Sequence, residues 1–178
     1  MPFGDFLCAL GISAACAGRG GPSLERHAGR APRLDLRDYL AGPVCASGIF
    51  FDYAGRASRS FTADMEGRWE GDGGTLTERF SYSDGRADVR TWSIRFTGPN
   101  GFTATAHDVV GTAAGQQRGN AARMRYRLRV PRGEGQIVVS MDDWFYLQED
   151  GTLIGRTRMR KFGLPVGELV VVFRKAPT

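Results

Sequence analysis

Asp142-Asp143-Trp144-Phe145-Tyr146 is the densest cluster of polar and aromatic side chains in the chain. An aspartate that faces an apolar interior needs a cation or a hydrogen-bond donor beside it, or it takes up a proton. Such a group can orient the polar end of a ligand or pass a proton. The short connection after Pro131 sets that residue opposite Gln136. Met124 then faces Asp143, and Arg125 faces Asp142. In this register Ile137, Val139, Met141, Phe145 and Leu147 share a core with Tyr126 and Leu128, and Asp143 is an interior carboxylate. A two-residue turn at Asp150-Gly151 pairs Glu149 with Thr152. That sets Arg158 opposite Asp143 and Arg156 opposite Phe145, with both arginines pointing inward. The patch would suit an anionic head group such as a fatty-acid carboxylate. A single β-bulge reverses the two arginines and leaves an exposed Arg stripe. A structural ion pair is the third alternative, and these two blander readings carry more weight than a binding site.

Other residue types narrow the chemistry. Asp108 shares its phase with Phe102, Ala104, Ala106 and Val110, which points inward; His107 shares its phase with Thr103 and Thr105, which points outward. The adjacent pair is therefore no dyad. Trp92, Trp144, Tyr82 and Tyr126 are candidates to line a cavity, although aromatic rings fill β-barrel interiors in any case. Asp143, Asp108 and Glu78 form an acid–base pair only if they converge, and spacing along the chain cannot show that. There is no nucleophile elbow, phosphate loop or metal triad. Three cysteines (Cys8, Cys16, Cys45), no pair of them at metal-ligand spacing, and two histidines (His27, His107) argue strongly against a His/Cys zinc site. No catalytic residue, metal or cofactor is assigned.

The elements that must position these residues are strands. Ala122, Met124, Tyr126, Leu128 and Val130 alternate with Arg123, Arg125, Arg127 and Arg129, a period of two with one face in a core. Strands are expected at 44–53, 57–69, 74–83, 87–97, 101–110, 113–118, 121–131, 136–148, 153–161 and 166–175. Gly-, Asp- and Asn-rich turns separate them. One helical turn is expected at Asp35–Ala41 before Gly42-Pro43. Short turns imply an all-β, antiparallel up-and-down meander of nine or ten strands. Closing it into a barrel hides its edges; a two-sheet sandwich is the alternative.

Three segments follow. Phe6–Ile12 is a short apolar run before Ser13, Ala14, Ala15 and Cys16. Residues 1–16 therefore read as a secretory leader, with Cys16 the candidate for bacterial lipidation. The fit is incomplete, since Ser13 replaces a large aliphatic residue and Asp5 sits where a basic region belongs. Residues 17–33, rich in Gly, Pro, Arg and Ala, read as a flexible tether. Residues 34–178 read as a single barrel domain.

The formal charge is +5 and all but two of the 24 basic residues are Arg. A basic balance suits nucleic acid, anionic lipid or an acidic partner. Arg is also an ordinary solvent-facing strand residue. Expected export and the lack of a binding module argue against nucleic acid.

Gly42-Pro43-Val44, Gly48-Ile49-Phe50 with Asp52, Phe61-Thr62-Ala63-Asp64-Met65-Glu66-Gly67, Arg90-Thr91-Trp92-Ser93-Ile94 and Asp108-Val109-Val110-Gly111 form a recognisable set. Asp142 to Leu147, Lys161-Phe162-Gly163 and Phe173-Arg174-Lys175 complete it. Together they resemble the bacterial domain-of-unknown-function family 3833 over residues 34–175. The resemblance implies a lipoprotein-like protein with a lipid-related role, and it supplies no catalytic residue. Gly48-Ile49-Phe50 with Arg174 also resembles the lipocalin-like (calycin) barrels, where an aromatic ring of the first strand packs on a basic residue of the last.

The expectation is thus a periplasmic, lipid-anchored barrel of the bacterial envelope that binds a small apolar or fatty-acid-like ligand. Asp143, Arg158, Arg156, Tyr126, Trp144, Trp92 and Asp108 are the candidate binding residues. The alternatives are an envelope-interaction module acting through its Arg-rich surface and, with least weight, a lipid-acting enzyme. Oligomeric state is not legible in the sequence.

Overall fold

The computed structural model describes residues 22–176. The leader and Cys16 lie outside the described residues. Ten strands follow one another around a closed barrel: β1 (Gly42–Asp52), β2 (Ala57–Glu70), β3 (Gly73–Tyr82), β4 (Ala87–Thr97), β5 (Gly101–Thr105), β6 (Ala113–Arg118), β7 (Ala121–Arg132), β8 (Gly135–Leu147), β9 (Leu153–Lys161) and β10 (Leu164–Lys175). Every neighbour is antiparallel and β1 closes on β10. Closure pairs both outer strands, so no sheet edge is left. The sandwich alternative is thereby set aside.

The alternation in β7 does what its pattern requires. Pro131 faces Gln136, Met124 faces Asp143, Arg125 faces Asp142 and Arg123 faces Trp144. Leu128, Val139 and Met141 are buried in the core.

One end of the barrel is plugged. Helix α1 (Leu36–Leu40) buries Leu36 and Tyr39 and is N-capped by Asp35, whose carboxylate accepts from Arg37 N at 2.9 Å. Gln117, itself buried, accepts from Leu36 N at 2.9 Å and donates to Pro99 O at 3.1 Å. The Tyr39 hydroxyl lies 3.0 Å from the Phe173 carbonyl, and Trp69 donates to Arg37 O at 2.8 Å. Gly67 is required here: a methyl group on it would overlap the Leu40 carbonyl.

Three features depart from the sequence reading. β5 ends at Thr105 instead of reaching 110. From there the chain crosses to β7, where Arg129 N donates to Asp108 O and Val110 N to Arg127 O. Within residues 22–33, read as the end of a tether, one piece is folded against the barrel while most of the segment stays exposed. A 3-10 turn at Leu24–His27 sits against β6 and β7, and His27 Nδ1 lies 3.0 Å from Asn120 Oδ1. Phe50 packs on Phe61 at 5.6 Å and under Arg59, while exposed Arg174 stands opposite Cys45. The ring-on-cation pair of the lipocalin-like barrels is therefore not made by Phe50 and Arg174.

Candidate functional site

A cavity of about 180 Å³ lies inside the barrel. Leu36 and Leu40 of α1 line its floor, and Phe50, Phe61, Phe80 and Tyr82 line the other end. The core tightens toward the floor, where Leu34, Val44 and Leu153 are 1% exposed. Around the opposite end Phe50, Phe80, Tyr82 and Leu169 are only partly buried. That end is the mouth. Its rings touch one another: Phe61 meets Phe80 at 5.4 Å, and Arg59 lies 4.2 Å over Tyr82. Aromatic edges and a cation leave an amphipathic collar there.

A polar belt crosses this apolar interior. Arg90 of β4 stands opposite Glu78 of β3 in the ladder. Its guanidinium donates to Asp108 Oδ2 at 3.0 and 2.6 Å and lies 3.7 Å from Glu78 Oε2. Trp92 donates its indole N–H to Glu78 Oε2 at 3.1 Å and meets Tyr126 edge-on at 5.4 Å. Tyr126 and Thr157 present their hydroxyls to Asp143. Asp143 is 6% exposed, lines the cavity, and has one carboxyl oxygen, Oδ1, without a partner.

Electrostatics divide the belt. Burial pushes the Asp143 carboxyl up to about 7, against the lowering effect of Thr157, Tyr126 and Arg90. Burial likewise raises Glu78 although Arg90 pulls it down. Burial and the neighbouring Asp143 raise the Tyr126 hydroxyl well above its ordinary value. Burial opposes the charge on Arg90, but Glu78, Tyr126 and Asp108 outweigh it and hold the proton more tightly. The single cation of the belt is already engaged by two carboxylates.

Four of the seven residues proposed from sequence meet here: Asp143, Tyr126 and Trp92 line the cavity, and Asp108 reaches its edge through Arg90. The other three do not. The loop after β8 has three residues, not two: Gly151 N donates to Gln148 O at 3.1 Å and Gln148 N to Thr152 O at 2.9 Å, with Gly151 at φ +79°. A type I turn followed by a left-handed glycine adds one residue to the expected connection. The register moves by one, so Asp143 faces Thr157, Arg158 faces Asp142 and Arg156 faces Trp144. Arg156 and Arg158 point outward, and Arg156 pairs with Glu168 on the surface. Trp144 also lies on the outer face. It is buried because the turn at Leu24–His27 covers it, with His27 at 6.4 Å and Arg123 over its ring at 4.7 Å.

Arg90 and Thr157 were not among the sequence candidates, and Glu78 was named only as a carboxylate. A signal was present for two of them. Arg90 shares the phase of Trp92 and Ile94, and Glu78 shares that of Leu76 and Phe80; each is a charge on an apolar face.

Residues 13–175 match the model of the family described as "Protein of unknown function (DUF3833)". The chain belongs to that family. Among solved structures it is similar to an S-type phycobiliprotein lyase from Guillardia theta, with TM-score 0.59 and 5% identity. That likeness covers 80% of this chain and 92% of the lyase chain, and it is a likeness of fold. No curated protein matches the chain.

Proposed function

We propose that this DUF3833 protein is a ligand-binding barrel of the bacterial envelope that takes a small, slender apolar molecule with a neutral or hydrogen-donating polar end. The carrying observation is the cavity itself: an apolar shaft from α1 to an aromatic mouth, crossed by one polar belt with an unpartnered Asp143 oxygen. A buried polar atom without a partner costs about 1–3 kcal/mol, so a ligand that donates to it recovers that loss. The likeness to a lyase barrel supports the fold this reading needs. Placement in the periplasm and anchoring through Cys16 rest on residues 1–16 of the sequence.

The belt also sharpens the ligand class. A fatty-acid carboxylate needs a cation, and Arg90 is held by Asp108 and Glu78. Arg156 and Arg158, which the sequence offered for that task, face away. A fatty-acid-like ligand would therefore enter as the neutral acid, and an alcohol, amide or amine end fits better. About 180 Å³ lies below the roughly 300–1,000 Å³ of common ligand sites, which favours a narrow chain over a ring system.

Mass spectrometry of small molecules extracted from protein purified from its native host tests this reading. One apolar species should recur in stoichiometric amount. Leu169→Trp, which narrows the cavity near its mouth, should deplete that species while the protein stays folded. Recovery of no species, or equal recovery from the variant, would overturn the proposal.

A further inference from the structure

The β9–β10 turn has the wrong residue for its geometry. Phe162 at φ +52° and Gly163 at φ +80° form a two-residue connection with both central residues left-handed. Such turns favour Asn-Gly, because a bulky side chain is strained in this region. Phe162 is the single non-glycine residue at positive φ among the described residues. Its ring is 91% exposed, so no burial offsets the strain. Leu164 beside it is 69% exposed, and Tyr53 at the neighbouring β1–β2 loop is 77% exposed. All three stand at the mouth end, away from α1.

The ground around this tip is basic. Lys161 adjoins Phe162, with its ammonium 4.6 Å over the ring. Arg158 and Arg160 of β9 face Arg125 and Arg127 of β7 across Asp142 and Ser140, in a shallow hollow on the outer wall. Asp142 is the one acid in that hollow, and Arg123 and Arg125 engage it. Among the described residues, Arg127, Arg132, Arg158, Arg160 and Lys161 have no carboxylate within salt-bridge distance.

We propose that the barrel docks mouth-down on an anionic lipid surface, with Phe162 and Leu164 entering the interface and the β7–β9 arginines lying against the head groups. An exposed aromatic tip flanked by cations is the composition that binds such an interface, by apolar burial together with attraction to anionic lipid. The attraction reaches about one Debye length, roughly 8 Å at physiological salt, which suits residues on the rim and upper wall. Backbone strain kept at an exposed position points to a use for the side chain. Docking stands on the rim and the outer wall, not on the cavity, and holds whether or not the barrel carries a ligand.

The test uses the full chain bearing Cys16→Ser, so that no acyl anchor contributes. Co-sedimentation should show binding to vesicles containing phosphatidylglycerol and little binding to pure phosphatidylcholine. Phe162→Asn should be at least as stable as the parent, since Asn tolerates the left-handed conformation, yet bind the anionic vesicles roughly tenfold more weakly. A structural role for Phe162 predicts the opposite, with stability falling and binding unchanged. Phe162→Trp should be quenched by lipids brominated on their acyl chains. The proposal is overturned by equal binding to both vesicle types, by full binding of Phe162→Asn, or by an unquenched Phe162→Trp.

Discussion

Asp142 and Asp143 are consecutive on β8 and have opposite electrostatic fates. Asp142 lies on the outer wall. Partial burial works against its charge, but hydrogen bonds from Arg123 and the charges of Arg123 and Arg125 outweigh that and hold its carboxyl below the usual range. Asp143 points into the cavity, where burial lifts it to about 7. One step along a strand exchanges a charge kept by arginines for a carboxyl that tends to keep its proton. The difference teaches that the basic character of this chain belongs to its exterior, whereas the interior is short of cations.

The largest effect expected from breaking that contrast is at Asp143. Between about pH 4 and pH 7 the folded state retains the Asp143 proton and the unfolded state has lost it. Stability contributed by this group is therefore fully present below pH 4, falls as pH rises toward 7, and then levels off. Over about three pH units the loss is on the order of 4 kcal/mol. Asp143→Asn has no proton to lose, so urea midpoints across pH 4–8 should flatten, with the variant more stable than the parent at pH 8. Parallel profiles for the two proteins would refute the interior assignment.

Arg90→Gln comes next. It strands Glu78 and Asp108 beside each other in the belt, and uncompensated charges of this kind cost about 3–5 kcal/mol when fully buried. The Arg90 and Glu78 side chains are 19% and 13% exposed, which trims the expected loss to about 2–3 kcal/mol. The loss should shrink at low pH, as Glu78, whose proton affinity burial raises, takes up a proton. A loss independent of pH would mean that Arg90 acts through packing alone.

On the outer face the effects are smaller. Asp142→Asn removes the partner of Arg123 and Arg125 and should cost about 1 kcal/mol or less, because pairs near solvent are weakened by screening. Its sign with pH is opposite to that of Asp143. The Asp142 contribution is present above about pH 4 and disappears as pH falls through its lowered value. Thermal melts at low and high salt should show the cost shrinking as salt rises.

Why the sequence disclosed some of this and not the rest follows from turn geometry. The β7–β8 hairpin closes in two residues, so its register could be counted outward from Pro131, and Asp143 emerged as an interior group. Asp150-Gly151 looks equally simple, but the turn takes in Glu149 as well. That one residue moved Arg156 and Arg158 from inside to outside. Strand phase sets Trp144 on the outer face beside Asp142, but its burial there was not legible, because a buried outer-face residue needs a cover, and its cover is residues 24–27, in a segment whose composition reads as a tether. The belt was half visible, since Glu78 and Arg90 interrupt apolar phases. Their meeting with Asp108 depends on where the chain leaves β5 after Thr105, which no local pattern marks.

The smallest stability effect is expected from Arg125 and Arg127, and it makes the sharpest use of the contrast. Arg125 is 65% exposed and shares Asp142 at 3.8 Å with the much closer Arg123. Arg127 has no carboxylate partner among the described residues. Replacing both with Gln keeps polarity and strand propensity, removes two charges, and should change stability by less than about 0.5 kcal/mol. A fold that used its Arg stripe only to stay soluble would leave the double variant indistinguishable from the parent in every assay. If instead the wall is a docking face, the variant should keep its melting temperature and any bound ligand while losing roughly 30-fold in affinity for phosphatidylglycerol vesicles, at about 1 kcal/mol for each of the two cations near the surface. The same substitution carried inward, at Arg90, should do the reverse, with stability damaged and vesicle binding per folded molecule retained. The pair of variants thus separates a wall that meets a partner from an interior that holds a ligand, through two readouts that move independently.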